Sequence, residues 1–192
     1  MRRPIAVIID GPTQVGRSTT IAALQQRWAS LYATPLLTVG LDTAVSAFGP
    51  EADRWRELVL PRQSPLAAVG AHYGPLGREL TAGMHRAAKA WLDAGFDVVI
   101  EHTFLDRQCP EDLADVLSHD VAVFIGLTCD DDILAARERV AGVAEGRAKA
   151  EQDAARNVIQ RHLLLDTSEA TTQELLDAIM HTVEDVRRNA AV

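Results

Sequence analysis

Several features that define whole classes of proteins are scarce in this sequence of 192 residues. It has only two cysteines, Cys109 and Cys129, which match no disulfide framework or metal-ligand spacing, so we expect ordinary thiols in a reducing compartment. No apolar run approaches the roughly 20 residues of a membrane span, and the run after Arg2 and Arg3 is too short for a signal peptide. We therefore expect a soluble, cytoplasmic protein with no membrane partner.

Positive charge is also scarce. Nineteen Lys and Arg residues against 27 Asp and Glu residues give a net charge of -8, so the basic surface that nucleic acid requires is not expected. A small, diffusible substrate fits this charge better than a polyanion does. The apolar fraction of 47% is that of an ordinary globular protein, and we expect residues 1–192 to form one domain, with homo-oligomerisation left open.

Five short apolar runs predict buried strands. They cover residues 5–9, 36–39, 98–101, 121–127 and 163–165. None alternates between apolar and polar residues, which is typical of parallel strands covered on both faces. Helical patterns separate the runs, and strands that alternate with helices predict an α/β fold with a parallel sheet.

The helices are predicted from periodicity and from the residues at their ends. A helix over residues 18–32 follows the first strand, and apolar residues at helical spacing over 80–91 predict another. Pro110 is placed to open a further helix in its first turn. Thr171 with Glu174 resembles a capping box at the start of the last helix.

Two segments fit this scheme less well, residues 49–77 with four of the eight prolines and the charged, Ala-rich residues 142–161. Such insertions usually run over the C-terminal edge of a parallel sheet, where ligands bind. The aromatic and histidine side chains of the first segment and its border either line an acceptor pocket or belong to the core. These candidates are Phe48, Trp55, His72 and Tyr73.

The string Gly-Pro-Thr-Gln-Val-Gly-Arg-Ser at residues 11–18 lies between the first strand and the first helix. Nucleotide phosphates bind where backbone N–H groups converge at the positive end of a helix. Gly11 and Gly16 permit the turn and the close approach of a phosphate, and the hydroxyl of Ser18 is placed to ligate Mg²⁺. A strand-to-helix turn that binds nothing is the alternative, but the whole string in this position favours phosphate binding.

The cation of this loop is Arg17 in place of the usual lysine. Arginine is larger, planar and forked, so the exchange is not conservative, although the fork can hold two phosphate oxygens. The sequence therefore supports phosphate binding more strongly than it supports turnover.

Motifs follow one another along nearly the whole chain at residues 11–18, 39–43, 99–105, 126–130 and 166–168, with Arg137 and Arg139. Taken together and in this order, they resemble the chloramphenicol phosphotransferase family. That resemblance implies a P-loop kinase fold, a three-layer sandwich with a five-stranded parallel sheet and a helical lid over roughly residues 137–160. It also implies that ATP and Mg²⁺ serve to phosphorylate a hydroxyl of a small antibiotic.

The resemblance also assigns roles to single residues. It implies a general base at Asp42, for which a helix N-cap is the alternative. Glu101 stands where the family has the first of two aspartates and is the candidate Mg²⁺ ligand beside Ser18, although a surface glutamate explains it equally well. Arg137 and Arg139 match a basic lid. Because they lie two residues apart on a helix, only one is expected to reach the phosphate, and we favour Arg137.

Nucleotide binding is expected to involve the loop, the start of the helix after it and the turn after the last strand, although a plain turn also explains Thr167. The predicted binding residues are Gly11, Pro12, Thr13, Gln14, Val15, Gly16, Arg17, Ser18, Thr19 and Thr167. The predicted activity is transfer of the ATP γ-phosphate to a small-molecule hydroxyl. A nucleotide-binding protein of low turnover and a nucleoside or metabolite kinase remain alternatives.

Overall fold

The computed structural model describes residues 3–52 and 73–190, so Trp55, His72 and most of the predicted 49–77 insertion lie outside the described residues. The strands are β1 (Ile5–Asp10), β2 (Leu36–Gly40), β3 (Asp97–His102), β4 (Val121–Thr128) and β5 (Leu163–Asp166). All five predicted strands are confirmed, and each extends one or two residues further than predicted.

Helices cover both faces of the sheet. They are α1 (Arg17–Tyr32), α2 (Leu41–Ser46), α3 (Pro75–Asp93), α4 (Gln108–Val116), α5 (Asp131–Ala141), α6 (Arg147–Ala155) and α7 (Thr172–Asn189), with a 3₁₀ turn at Gly49–Glu51. The predicted capping box of Thr171 and Glu174 is present at the start of α7, and Pro110 lies in the first turn of α4. Within the described ranges, no helix combines the length and apolarity needed to cross a membrane.

The sheet order is β2-β3-β1-β4-β5, and every neighbouring pair is parallel. Strand β1 is central, and all six of its residues are buried. Ile5, Val7 and Ile9 pack on the layer of α1 and α7, whereas Ala6 and Ile8 pack on the layer of α3 and α4. This arrangement confirms the predicted three-layer α/β fold. Because the strands are parallel, all their carboxyl ends lie at one edge of the sheet.

A buried carboxylate fixes the opposite edge. Asp97, at the start of β3, accepts hydrogen bonds from the backbone N–H of Ile5 at 3.1 Å and from Trp28 Nε1 at 3.0 Å. It also pairs with the guanidinium of Arg187 at 3.4 Å, and that guanidinium lies 4.9 Å from the centre of the Trp28 ring. One side chain therefore joins β1, α1, β3 and α7 where the sheet begins.

Asp97→Ala is expected to lower the free energy of unfolding by about 3–5 kcal/mol, because Arg187 and two N–H donors would be left buried without this acceptor. Urea denaturation measures the change. Asp93→Ala is the matched control, since Asp93 forms an exposed ion pair with Lys89 on α3 and should change stability by less than about 1 kcal/mol. Equal stability losses in the two variants would contradict the role of Asp97.

Candidate active site

The loop between β1 and α1 has a backbone shape that depends on its glycines. A Cβ atom added to Gly11 would lie only 2.8 Å from the carbonyl oxygen of Leu127, so no larger residue fits without movement of the backbone. Gly16 has a φ of 105°, a left-handed conformation that favours glycine, and it is the N-cap of α1. Gln14 is also left-handed, with a φ of 61°. The loop therefore curls around a point in front of the helix.

Helix α1 presents its positive end to this point. Gly16 provides no side-chain cap, and the first turn of the helix carries no acidic residue. The N–H groups of the first turn are therefore left for an outside acceptor, and the helix dipole favours an anionic one. Because α1 has 16 residues, its dipole is fully developed.

A cleft of about 560 Å³ opens over the loop and brings most of the predicted site residues together. Of the predicted residues, only two do not line this cleft. Gly11 faces a second cavity of about 370 Å³ beside β4, and Arg139 is exposed on the other side of α5. The residues that line the cleft are Pro12, Thr13, Gln14, Val15, Gly16, Arg17, Ser18, Thr19, Thr20, Asp42, Glu101, Arg137, Thr167, Ala170, Thr172 and Leu175.

The side chain of Arg17 lies between the loop and the end of β3. Its Nη1 donates to the carbonyl oxygen of His102 at 3.0 Å and also contacts the carbonyl of Gly11 and the hydroxyl of Thr103. Its Nε donates to Glu101 Oε1 at 3.2 Å. The side chain is only 14% exposed. The guanidinium thus holds the loop against β3 while it remains in the wall of the cleft.

The two candidate Mg²⁺ ligands are adjacent. Ser18 Oγ donates to Glu101 Oε1 at 3.2 Å, and the Glu101 side chain is 17% exposed, so it is not a surface glutamate. A hydroxyl beside a carboxylate is a suitable donor set for Mg²⁺, which takes few protein ligands and retains several waters. The same carboxylate is paired with Arg17, so a metal ion and the guanidinium would share its charge.

Asp42 and Glu101 line the same cleft, and the strand that leads to Asp42, β2, is paired with β3 at this edge. A Cβ atom on Gly40 would lie 3.1 Å from Glu101 Cβ, which shows how tightly the two strand ends pack. Gly40 is the N-cap of α2, and Asp42 is the second residue of that helix, so the predicted alternative of an Asp42 N-cap is wrong. Its carboxylate is exposed and lines the cleft. The role of Asp42 as a base remains a prediction.

Arg137 and Arg139 point in different directions from α5, as their spacing predicts. The Arg137 guanidinium donates to the carbonyl oxygens of Gln14 at 3.2 Å and Thr167 at 3.1 Å. Thr167 Oγ1 donates in turn to the carbonyl of Val15 at 2.9 Å. Arg137 therefore connects the loop at Gln14 to Thr167, directly after β5, at the border of the cleft.

One contact made by the charged, Ala-rich segment 142–161 was not predicted from the sequence. Glu151 is 4% exposed, and its Oε2 accepts a hydrogen bond from the backbone N–H of Thr13 at 2.6 Å. The available signal was the helical spacing of Ala148, Glu151 and Ala155, which form one buried face of α6. Arg161 was missed as well, and it pairs with the buried Asp10 directly before the loop.

His102 belongs to a buried chain of polar groups behind the loop. His85 Nδ1 lies 2.6 Å from Asp112 Oδ2, and His85 Nε2 lies 3.2 Å from His102 Nε2. The Phe104 ring stacks on His102, with 4.2 Å between ring centres. Burial lowers the pKa of His102 well below its usual range, and it also lowers the pKa of His85 although Asp112 opposes that shift. His102 is therefore a core residue, in line with a structural role.

The parallel sheet, its strand order and the phosphate-binding loop after the first strand define the fold of a P-loop kinase. Solved structures share it across nearly their full length. A gluconokinase from Sinorhizobium meliloti 1021 has 15% identity and a TM-score of 0.62, and the match covers 100% of this chain and 98% of that one. The Deinococcus radiodurans tunicamycin resistance protein has 18% identity and a TM-score of 0.63, with 95% and 96% covered.

A third structure of this fold contains ligands. It is the Mycobacterium tuberculosis APS kinase in complex with AMPPNP and APS, with 14% identity, a TM-score of 0.64, and 96% and 99% of the two chains covered. A search of curated proteins gives no significant match. The model of the chloramphenicol phosphotransferase-like family matches residues 5–184, and the chain belongs to that family. The resemblance of its motifs to this family is thereby confirmed.

The buried histidines predict a dependence of stability on pH. Because the folded pKa of His102 is lowered, the unfolded chain binds more protons below the ordinary histidine pKa of about 6.5, so stability falls as the pH drops below that value. The loss is at most about 1.4 kcal/mol per pH unit for each such histidine. His102→Gln should reduce the slope measured by urea denaturation between about pH 6.5 and 5.

His181→Gln is the control for the exchange itself, because it replaces the same residue type at a side chain that is 76% exposed. If the His102 and His181 variants gave the same slope as the wild type, the lowered pKa of His102 would be refuted.

Proposed function

We propose that this protein is an ATP- and Mg²⁺-dependent phosphotransferase that moves the γ-phosphate to a hydroxyl of a small molecule, an antibiotic or a specialised metabolite. The observation that carries the proposal is the content of a single cleft. A phosphate-binding loop, a hydroxyl–carboxylate pair at Ser18 and Glu101, and the carboxylate of Asp42 all line it. These are the groups that phosphoryl transfer requires, since its catalysis consists mainly of positioning and charge neutralisation.

The nucleotide phosphates would bind the loop N–H groups and the start of α1. Ser18 and Glu101 would hold Mg²⁺, and the bound ion supplies neutralisation of the phosphate charge. Thr167, Ala170 and Leu175 also line the cleft and would border the adenine of the nucleotide. The Arg17 guanidinium would add positive charge beneath the terminal phosphate, because it already lies in the wall next to Gly11.

Asp42 would receive the proton of the acceptor hydroxyl. As the hydroxyl oxygen forms its bond to the γ-phosphorus, the bond between that phosphorus and the β–γ bridging oxygen breaks, and the electron pair leaves with ADP. The hydroxyl proton passes to the Asp42 carboxylate. Exposure of Asp42 at the cleft surface allows an acceptor to approach it from solvent.

Two kinds of acceptor are supported by the similar proteins. The family name and the tunicamycin resistance protein of the same fold support an antibiotic, whereas the gluconokinase supports a hydroxylated metabolite. The net charge of -8 supports a small acceptor rather than a polyanion. An enzyme that uses ATP would act in the cytoplasm, where ATP is supplied.

A nucleotide-binding protein of low turnover is a second candidate. The ion pair of Arg17 with Glu101 favours it, because the carboxylate needed by Mg²⁺ is already engaged by a guanidinium. Assays of binding and of transfer separate the two functions.

The direct test is a screen of hydroxylated antibiotics and metabolites with Mg-ATP, read by mass spectrometry as the gain of one phosphoryl group. Our proposal expects at least one acceptor to be modified, and only when ATP is present. Tight ATP binding without any transfer to a broad panel would favour the second candidate instead.

Asp42→Asn should keep the affinity for ATP and reduce kcat by roughly 10²–10⁴-fold, because only the proton acceptor is lost. Steady-state kinetics with the acceptor found by the screen measure the change. Thr43→Ala, at the neighbouring exposed position of α2, should retain wild-type kcat. An Asp42→Asn variant with full turnover would exclude Asp42 as the base.

Arg17→Lys should retain ATP binding and turnover, because a point charge can still reach the terminal phosphate from beneath the loop. Arg17→Ala should weaken ATP binding and reduce transfer, since both the cation and the tie between the loop and β3 are lost. Calorimetry gives the affinities and the transfer assay gives the rates. If Arg17→Ala equalled the wild type in both, Arg17 would not be a phosphate ligand.

A further inference from the structure

Helix α6 places an anion on the phosphate-binding loop. Glu151 Oε2 lies 2.6 Å from the backbone nitrogen of Thr13, and Glu151 Oε1 accepts from Arg147 Nε at 2.8 Å. The glutamate is 4% exposed, whereas the Arg147 side chain is 41% exposed. One of the N–H groups that line the candidate nucleotide cleft is therefore bound by a carboxylate of the protein itself.

The contact is fixed by the way α6 docks. Gln152 Nε2 donates to the carbonyl of Cys129 at 2.9 Å, and its Oε1 accepts from the Cys129 N–H at 3.1 Å. At the other end of the helix, Glu138 accepts from the backbone N–H of Gly146 at 2.8 Å. These bonds hold Glu151 over the loop, so its position is not that of a loose surface side chain.

A carboxylate oxygen and a phosphate oxygen are both anionic acceptors of the same N–H group, so they compete for it. A buried carboxylate is costly unless donors compensate it, which means that Glu151 needs Thr13 and Arg147 when no ligand is present. When a phosphate takes the Thr13 N–H, the two anions would also repel each other. Glu151 must then turn away or move with the helix, and the left-handed Gly142 and Gly146 flank the connection at which α6 can pivot.

We propose that Glu151 is an internal competitor of phosphate, bound to the loop in the ligand-free protein and displaced by a phosphate oxygen of the ligand. Displacement breaks the contact with Thr13 but need not break the pair of Glu151 with Arg147, which lies four residues earlier on the same helix. Phosphate then binds only those molecules in which Glu151 has left the loop. The apparent affinity for phosphate therefore falls as the fraction of molecules with Glu151 on the loop rises. This inference rests on the proposed function only in that the loop binds phosphate groups.

Calorimetric titration with inorganic pyrophosphate tests the proposal without a base, an acceptor or turnover. Glu151→Gln keeps the size and a neutral acceptor but loses the charge, and it should bind pyrophosphate about 10-fold more tightly than the wild type, because the charge-assisted bond and the repulsion are removed. Glu145→Gln, an exposed site in the same lid segment, should match the wild type. Unchanged or weaker binding by Glu151→Gln would overturn the proposal.

A second readout covers the case in which the substitution loosens the lid. In ¹⁵N-labelled protein, the Thr13 amide resonance should shift on Glu151→Gln and on addition of pyrophosphate to the wild type, and it should not shift on Glu145→Gln. A Thr13 resonance that responds to pyrophosphate but not to Glu151→Gln would refute the carboxylate contact.

The two proposals fail in different ways. Phosphoryl transfer from ATP with equal pyrophosphate affinities in wild type and Glu151→Gln would leave the kinase function intact and reject the competitor. Tighter pyrophosphate binding by Glu151→Gln without transfer to any acceptor would support the competitor and reject the kinase function.

Discussion

The guanidinium of Arg17 is the interaction through which the phosphate-binding loop is joined to the end of β3. It contacts the carbonyls of Gly11 and His102 and pairs with Glu101, so it sets the distance between the loop and the carboxylate opposite. A lysine ammonium, with three N–H donors, could keep some of these partners, whereas an alanine side chain could keep none of them. In this protein, therefore, the cation of the loop is also a structural tie, and the position of the candidate metal ligand depends on it.

The order of the strands determines what surrounds the loop. Because β1 lies between β3 and β4, the loop that follows it has Glu101 on one side and the end of β4 on the other. Asp42, the proposed base, comes from α2, which follows β2 on the far side of β3. Thr167, which the proposal places next to the adenine, follows β5 and is joined to the loop by Arg137. A parallel sheet thus collects four distant chain segments at one edge.

The strands and the loop were predictable because their signals are local. The run 5–9 is continuously apolar, and the glycines at 11 and 16 mark the turn that follows it. The contacts of Arg17 were not predictable, since they depend on the register of β1 against β3, some 85 residues away along the chain. Glu151 was hidden among charged neighbours, and its partner Thr13 is separated from it by 138 positions.

The central claim is that the loop at residues 11–18 binds the phosphates of a nucleotide. The most direct measurement is the melting temperature of the protein with increasing Mg-ATP and Mg-ADP. If the loop binds nucleotide, the melting temperature rises steadily with the ratio of ligand concentration to its dissociation constant. An unchanged melting temperature at millimolar nucleotide, with no heat of binding by calorimetry, would contradict the account.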